Sequence, residues 1–153
     1  MNALCIAGGR VLRPDCSVEE ADVVVDRDTG NVHDVGEGIA AEYDGETLDA
    51  AGGVVMPGLV NAHTHAAMTL LRGYADDKPL GSWLREDIWP AEAALEPEDV
   101  RAGTELGILE MIRSGTTAFA DMYFEVPEVA AAVEESGMRA RLGHGVVTVA
   151  TDD

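Results

Sequence analysis

Along the first third of the chain, apolar residues recur in short runs with a two-residue period, broken by glycine and by Asp/Asn/Gly clusters. This pattern predicts β-strands. Ala3-Leu-Cys-Ile-Ala7 is one run, Gly8-Gly9 punctuates it as a turn, and Arg10-Val-Leu12 resumes it. Ala21-Asp-Val-Val-Val-Asp26, the turn cluster Arg27-Asp-Thr-Gly-Asn31 and Val32-His-Asp-Val35 together predict a hairpin. Short strands thus dominate residues 1–55.

The pattern changes after Pro57. Leu59 to His65 is strand-like and reads as the end of a strand that starts near Val54; helical stretches follow it. Glu96-Pro97-Glu-Asp99 puts proline at a first helical position with acid in the first turn, and the run stops at Arg113-Ser-Gly115, which predicts one helix. Thr116 to Tyr123 predicts a buried strand, Pro127 opens a second helix that stops at Gly137, and Arg139 to Val147 begins a third strand. The order β-α-β-α-β indicates an α/β fold. If it belongs to a (β/α)8 barrel, which takes roughly 250 residues, two units and the start of a third are present, and the chain is a fragment.

Charge alters the picture of partners more than of fold. The 153 residues carry 29 acidic against 10 basic side chains, a net charge of −19, and Lys78 is the sole lysine. Such a field repels nucleic acid and anionic membranes. The acid is spread between apolar runs, as in Val18 to Asp28 and Glu86 to Asp99, rather than gathered in a tail, so adaptation of a folded surface to concentrated salt is the expectation. Cys5 and Cys16 form no CxxC motif, no apolar run approaches the ~20 residues of a membrane span, and the N-terminus lacks a leader pattern. The reading is a soluble, cytoplasmic protein with a small-molecule partner; a homo-oligomer is left open.

His63-Thr-His65 is the candidate chemistry. Residues two apart on a strand share a face, so both imidazoles can reach one ion, with Leu59 and Asn61 beside them; Val60, Ala62 and Thr64 point the other way, to pack beneath helices. Neutral imidazole suits zinc or iron. A bare HxH is more often two ordinary histidines at a strand end, but Pro57-Gly58 before it and Met68-Thr-Leu-Leu-Arg-Gly73 after it make this segment far more specific.

The run Asp49-Ala-Ala-Gly-Gly-Val-Val-Met-Pro-Gly-Leu-Val-Asn-Ala-His-Thr-His65 resembles the entry into the barrel of the amidohydrolase superfamily. The likeness continues through Ala66 to Gly73, Ser82-Trp-Leu84, Trp89-Pro-Ala-Glu92 and Ser114 to Tyr123, a pattern similar to that of deaminases acting on S-adenosylhomocysteine and 5′-methylthioadenosine. The resemblance implies an incomplete (β/α)8 TIM barrel over residues 56–153, preceded by the N-terminal part of a small β-sandwich domain over residues 1–55. It implies one divalent metal ion, most readily zinc with iron as the alternative, held by His63 and His65. The remaining ligands and the proton-shuttling residues would come from later strands, beyond Asp153. It also implies that Glu92 accepts hydrogen bonds from ribose hydroxyls and that Trp83 covers the substrate's apolar end. His144 falls where relatives often place an arginine that meets the homocysteine carboxylate. An imidazole attracts that group less than a guanidinium, which weakens the case for S-adenosylhomocysteine and leaves methylthioadenosine, deoxyadenosine or another purine open. His33 reads as structural or surface, and Asp121 as a structural hydrogen-bond acceptor.

The expected reaction is hydrolytic deamination of an adenine nucleoside, with the chain alone inactive. A guanine deaminase or chlorohydrolase is the alternative within enzymes, because the first strand is shared; a non-catalytic remnant or interaction module is the alternative outside them. The acidity itself generates a prediction: carboxylates this dense repel one another, so the folded protein should lose stability as ionic strength falls and screening weakens. Melting temperatures in dilute buffer and in molar KCl measure this, and equal values would remove the salt-adaptation reading.

Overall fold

The structure, a computed structural model, describes residues 1–146. The expected strand residue Val147 lies outside the described residues. The chain divides into two compact units, Met1–Pro57 and Gly58–Asp153.

The first unit is one sheet made of β1 (Ala3–Leu12), β2 (Val18–Asp26), β3 (Asn31–Gly36), β4 (Gly45–Asp49) and β5 (Val54–Val55). The strand order is β3-β2-β1-β4, and β5 pairs with β1 beyond β4. β2 and β3 form the antiparallel hairpin that the sequence predicts. Gly8-Gly9 departs from expectation, because it is a bulge inside a single ten-residue strand and not a turn between two short ones. Gly8 adopts φ +74°, open to glycine without steric cost, and its N–H, displaced from the ladder, donates to Oδ1 of the buried Asp22 at 2.9 Å. The other Asp22 oxygen accepts from the N–H of Ala40 at 3.1 Å. Inserting one residue also flips the side-chain alternation. Ile6 and Val11, five apart, consequently join the same cluster with Ala21 and Val23, while Cys5 packs with Ala3 and Val24 in another.

Val54 to His65 is likewise not one strand. Pro57, with no N–H to give a ladder, separates β5 in the first unit from β6 (Leu59–Thr64) in the second. In the second unit β6, β7 (Thr116–Tyr123) and β8 (Arg139–His144) form a parallel sheet in that order. After β6 come a 3-10 segment (Ala66–Leu71), α1 (Leu80–Trp83), a π-helical turn (Leu84–Ile88) and α2 (Trp89–Glu92); then α3 (Pro97–Arg113) leads to β7 and α4 (Val126–Ser136) to β8. The helix limits follow their caps. Glu96 and Asp99 form a capping box at the start of α3, and Gly137 at φ +72° ends α4.

The core of this unit lies where α3, α4 and the 3-10 segment meet β7. Ala66, Ile108, Met111, Phe119 and Ala132 form one buried cluster, and Ala67, Val100, Tyr123 and Val129 a second. Val60, expected beneath a helix, is 69% exposed and lines an open groove with Gly107 and Met111, because β6 is an edge strand of the described sheet. Arg101 reaches from α3 to Glu135 on α4 at 2.6 Å and also bonds Glu105.

The close approach of α3 to the segment that follows His65 depends on Gly103 and Gly107, one helical turn apart on the facing side. A Cβ at Gly103 would collide with the carbonyl oxygen of Ala67, and one at Gly107 would lie 3.0 Å from that of Ala66. Alanine ordinarily gains roughly 0.5–1 kcal/mol over glycine within a helix. Here Gly103→Ala should instead cost roughly 1–3 kcal/mol, the range for overpacking against backbone. Urea unfolding tests the sign, and a stabilised variant would contradict the packing described.

Candidate functional site

The C-terminal ends of β6 and β7 gather the polar side chains of the second unit. His63 lies near the end of β6, exposed, and His65 one residue past it, half-buried. Their ring centroids are 5.1 Å apart with planes at 81°. Nδ1 of His65 lies 2.6 Å from the backbone carbonyl oxygen of Met122. A carbonyl only accepts, so Nδ1 carries the proton and donates; in the neutral ring Nε2 is then left with a free lone pair. This carbonyl–histidine contact is the arrangement that orients metal-ligating imidazoles.

The residues on either side of Met122 hold neighbouring parts of the same region. Asp121 is buried, and its Oδ1 accepts the N–H of Ala66, directly after His65, at 2.7 Å. The structural hydrogen bond expected of Asp121 is therefore present. Burial pushes its carboxyl pKa up, opposed by the Ala66 N–H. Tyr123, also buried, donates its hydroxyl to Oε1 of Glu92 at 2.7 Å. Burial and then the adjoining carboxylate hold the phenol pKa above its ordinary range, so it stays protonated and donates at neutral pH.

Glu92 ends α2, and Trp83 ends α1 with Nε1 donating to the Tyr74 carbonyl at 3.2 Å. The connection carrying them is pinned by Lys78, whose Nζ lies 2.5 Å from Asp87 and 3.4 Å from Glu86. A cavity of about 430 Å³ has His65, Trp83, Trp89, Glu92 and Tyr123 among its walls. Three of the sequence-predicted residues, His65, Trp83 and Glu92, thus share one cavity, with His63 beside His65. His144 is placed otherwise: it ends β8 in register with Tyr123, is exposed, and is not among the cavity's walls, where Gly145 stands instead. His33 is exposed and packs edge-on against Tyr43 in the first unit.

The donor set fits a metal of zinc's type in part. Two imidazoles, one with its tautomer set by Met122, supply two of the four donors of a tetrahedral site. Among the described residues no group of three or more His, Cys, Asp or Glu is gathered. Sequence reasoning missed Trp89 and the Tyr123–Glu92 bond. The available signal for Tyr123 was its place two residues after Asp121, on one face of a strand that ends at the site.

Comparison with known proteins identifies the family. Residues 54–152 match the model of the amidohydrolase family. A 5-methylthioadenosine/S-adenosylhomocysteine deaminase of Halobacterium salinarum is 65% identical over 152 residues, covering 99% of this chain and 35% of that protein. A 5′-deoxyadenosine deaminase of Methanococcoides burtonii is 53% identical over 154 residues, covering 100% and 35%. The chain therefore spans about a third of the length of the curated relatives it matches. Among solved structures, an adenosine deaminase from Xanthomonas campestris with bound zinc superposes with a TM-score of 0.83 at 42% identity, over 90% of this chain and 32% of that one. With a family model matched over well more than half its length, the chain belongs to the amidohydrolase family.

Proposed function

We propose that this chain supplies the first metal ligands and the sugar-binding wall of a metal-dependent hydrolase that deaminates adenine nucleosides of the 5′-methylthioadenosine/S-adenosylhomocysteine type. One observation carries the reading: His63 and His65 stand together, with Nε2 of His65 freed by the Met122 carbonyl, beside a cavity that also holds Glu92. The relatives' names support the substrate class, and the zinc in the Xanthomonas campestris structure supports a divalent ion. In this reading residues 56–153 are the opening βα units of a (β/α)8 barrel, residues 1–55 contribute to a β-sandwich domain, and later strands provide the remaining ligands and the acid–base residues. The acidity of the chain is in keeping with a source such as that of the Halobacterium relative.

When bound, a zinc-type ion supplies a Lewis acid that brings the pKa of water toward ~7. The chain's own residues do the rest of the work assigned here. His63 and His65 would hold the ion through ring nitrogens, and the Met122 carbonyl, by accepting from the Nδ1–H of His65, leaves its Nε2 as the nitrogen free to bind. Glu92 accepts hydrogen bonds from the sugar hydroxyls, fixing the base relative to the two histidines. Trp83 covers the apolar end of the substrate. His144, exposed and off the cavity wall, gives no strong hold on a carboxylate tail, which favours an uncharged 5′ substituent.

In the full-length protein, chelation should remove ammonia release from adenosine-type substrates, and zinc should restore it. His63→Ala or His65→Ala should lose both bound metal and turnover while keeping native circular dichroism. A folded double variant that deaminates at the parent rate would place the reaction elsewhere, and a parent protein that retains no metal would favour a non-catalytic module.

Glu92→Gln keeps the shape of the side chain but removes the charge that strengthens its hydrogen bonds. kcat/KM for nucleosides should fall by roughly 1.5–3 kcal/mol, and by clearly less for a free base, which has no sugar. Equal losses for the two substrates would assign Glu92 another role.

A further inference from the structure

Glu92 lines two adjoining cavities. One, of about 430 Å³, contains His65 and Trp83; the other, of about 440 Å³, is bounded by Leu95, Val100 and Glu125. Trp89, Glu92, Tyr123 and Phe124 line both. A half-buried glutamate at the end of a four-residue helix has little of its own to keep its carboxylate turned toward one cavity rather than the other. Among the described residues, the Tyr123 hydroxyl is the one hydrogen-bond partner that the carboxylate has. The two partners are unequal in freedom. Tyr123 is 4% exposed, and its ring packs with Ala67, Val100 and Val129, so the bond constrains the glutamate rather than the tyrosine.

We propose that Tyr123 is a positioning residue for nucleoside binding: by donating to Oε1 of Glu92 it holds the carboxylate in one orientation and leaves Oε2 to the sugar hydroxyls in the cavity that contains His65. The inference rests on the reading of Glu92 as the sugar acceptor. A buried phenol that stays protonated suits the role, because it can only donate toward the carboxylate and keeps doing so across neutral pH. Without the hydroxyl, the carboxylate can rotate into the second cavity and must turn back each time a nucleoside binds. That cost falls on binding and not on the chemical step.

The test uses the full-length, metal-loaded protein with adenosine and with 2′,3′-dideoxyadenosine, which lacks the sugar hydroxyls. Tyr123→Phe removes one oxygen and keeps the ring. It should raise KM for adenosine roughly tenfold, the effect of losing one hydrogen bond to a charged group, with kcat changed by less than about threefold. Preference for adenosine over the dideoxynucleoside should fall by a similar factor. In a Glu92→Gln background the same substitution should add less than about twofold, because the two side chains act as one unit. Additive losses, a loss confined to kcat, or loss of metal or native circular dichroism on removing this oxygen would each overturn the proposal. If Glu92→Gln abolishes the preference and Tyr123→Phe does not, this inference alone fails. If Glu92→Gln leaves the preference intact, the sugar-acceptor reading fails and takes the inference with it.

Discussion

The C-terminal end of β7 is the constraint on which the rest of the candidate site depends. Three consecutive residues there each hold a different piece: the Asp121 carboxylate holds the N–H of Ala66, the Met122 carbonyl holds Nδ1 of His65, and the Tyr123 hydroxyl holds Glu92. Two of these are side-chain atoms on one face of the strand, and the third is backbone, so a single rigid element orients both an imidazole and a carboxylate. The strand is well placed to do this, since Phe119, Asp121 and Tyr123 are all buried against the helices. A hydrogen bond from a residue fixed by packing orients its partner; here the fixed partners lie on β7 and the oriented ones on the connection after β6.

The same logic explains the packing on the other side of that connection. Gly103 and Gly107 let α3 lie against the backbone of Ala66 and Ala67, so the segment directly after His65 is gripped between a helix and the end of β7. β6 holds His63 but stops at Thr64, one residue short of His65. The geometry of His65 is set by what surrounds the chain, through close backbone approach and buried hydrogen bonds, rather than by strand pairing.

Those contacts also mark what could be read beforehand. Element limits controlled by local chemistry were legible: the hairpin turn at Arg27 to Asn31, the start of α3 at Pro97, the whole of β7, and the stop at Gly137. Gly8-Gly9 was misread because a turn and a bulge draw on the same residue; which one forms depends on whether the flanking segments pair with the same neighbour, here β2 on both sides of the bulge. The break between β5 and β6 needed Pro57 to outweigh a continuous apolar pattern. The Met122–His65 and Tyr123–Glu92 contacts span 57 and 31 residues, and no local period encodes them. The strand that carries His144 was legible, but not that it ends there or that the imidazole stands off the cavity wall, because both depend on how β8 lies against β7.

In a chain with 29 acidic side chains, charge alone says nothing about which carboxylate serves a ligand. Glu110 and Glu135, for example, reach outward to Arg72 and Arg101, contacts typical of a solvated surface. Glu92 differs in its partner: a buried phenol, which contributes no compensating charge and therefore leaves the carboxylate's charge available. An arginine in that position would neutralise it; a water would not orient it. A neutral, rigid donor satisfies one oxygen and preserves the anionic character of the other, which is the property a group must keep if it is to accept strong hydrogen bonds from sugar hydroxyls. Held this way, one carboxylate becomes distinguishable from the others through the chemistry of its neighbour and not through its own.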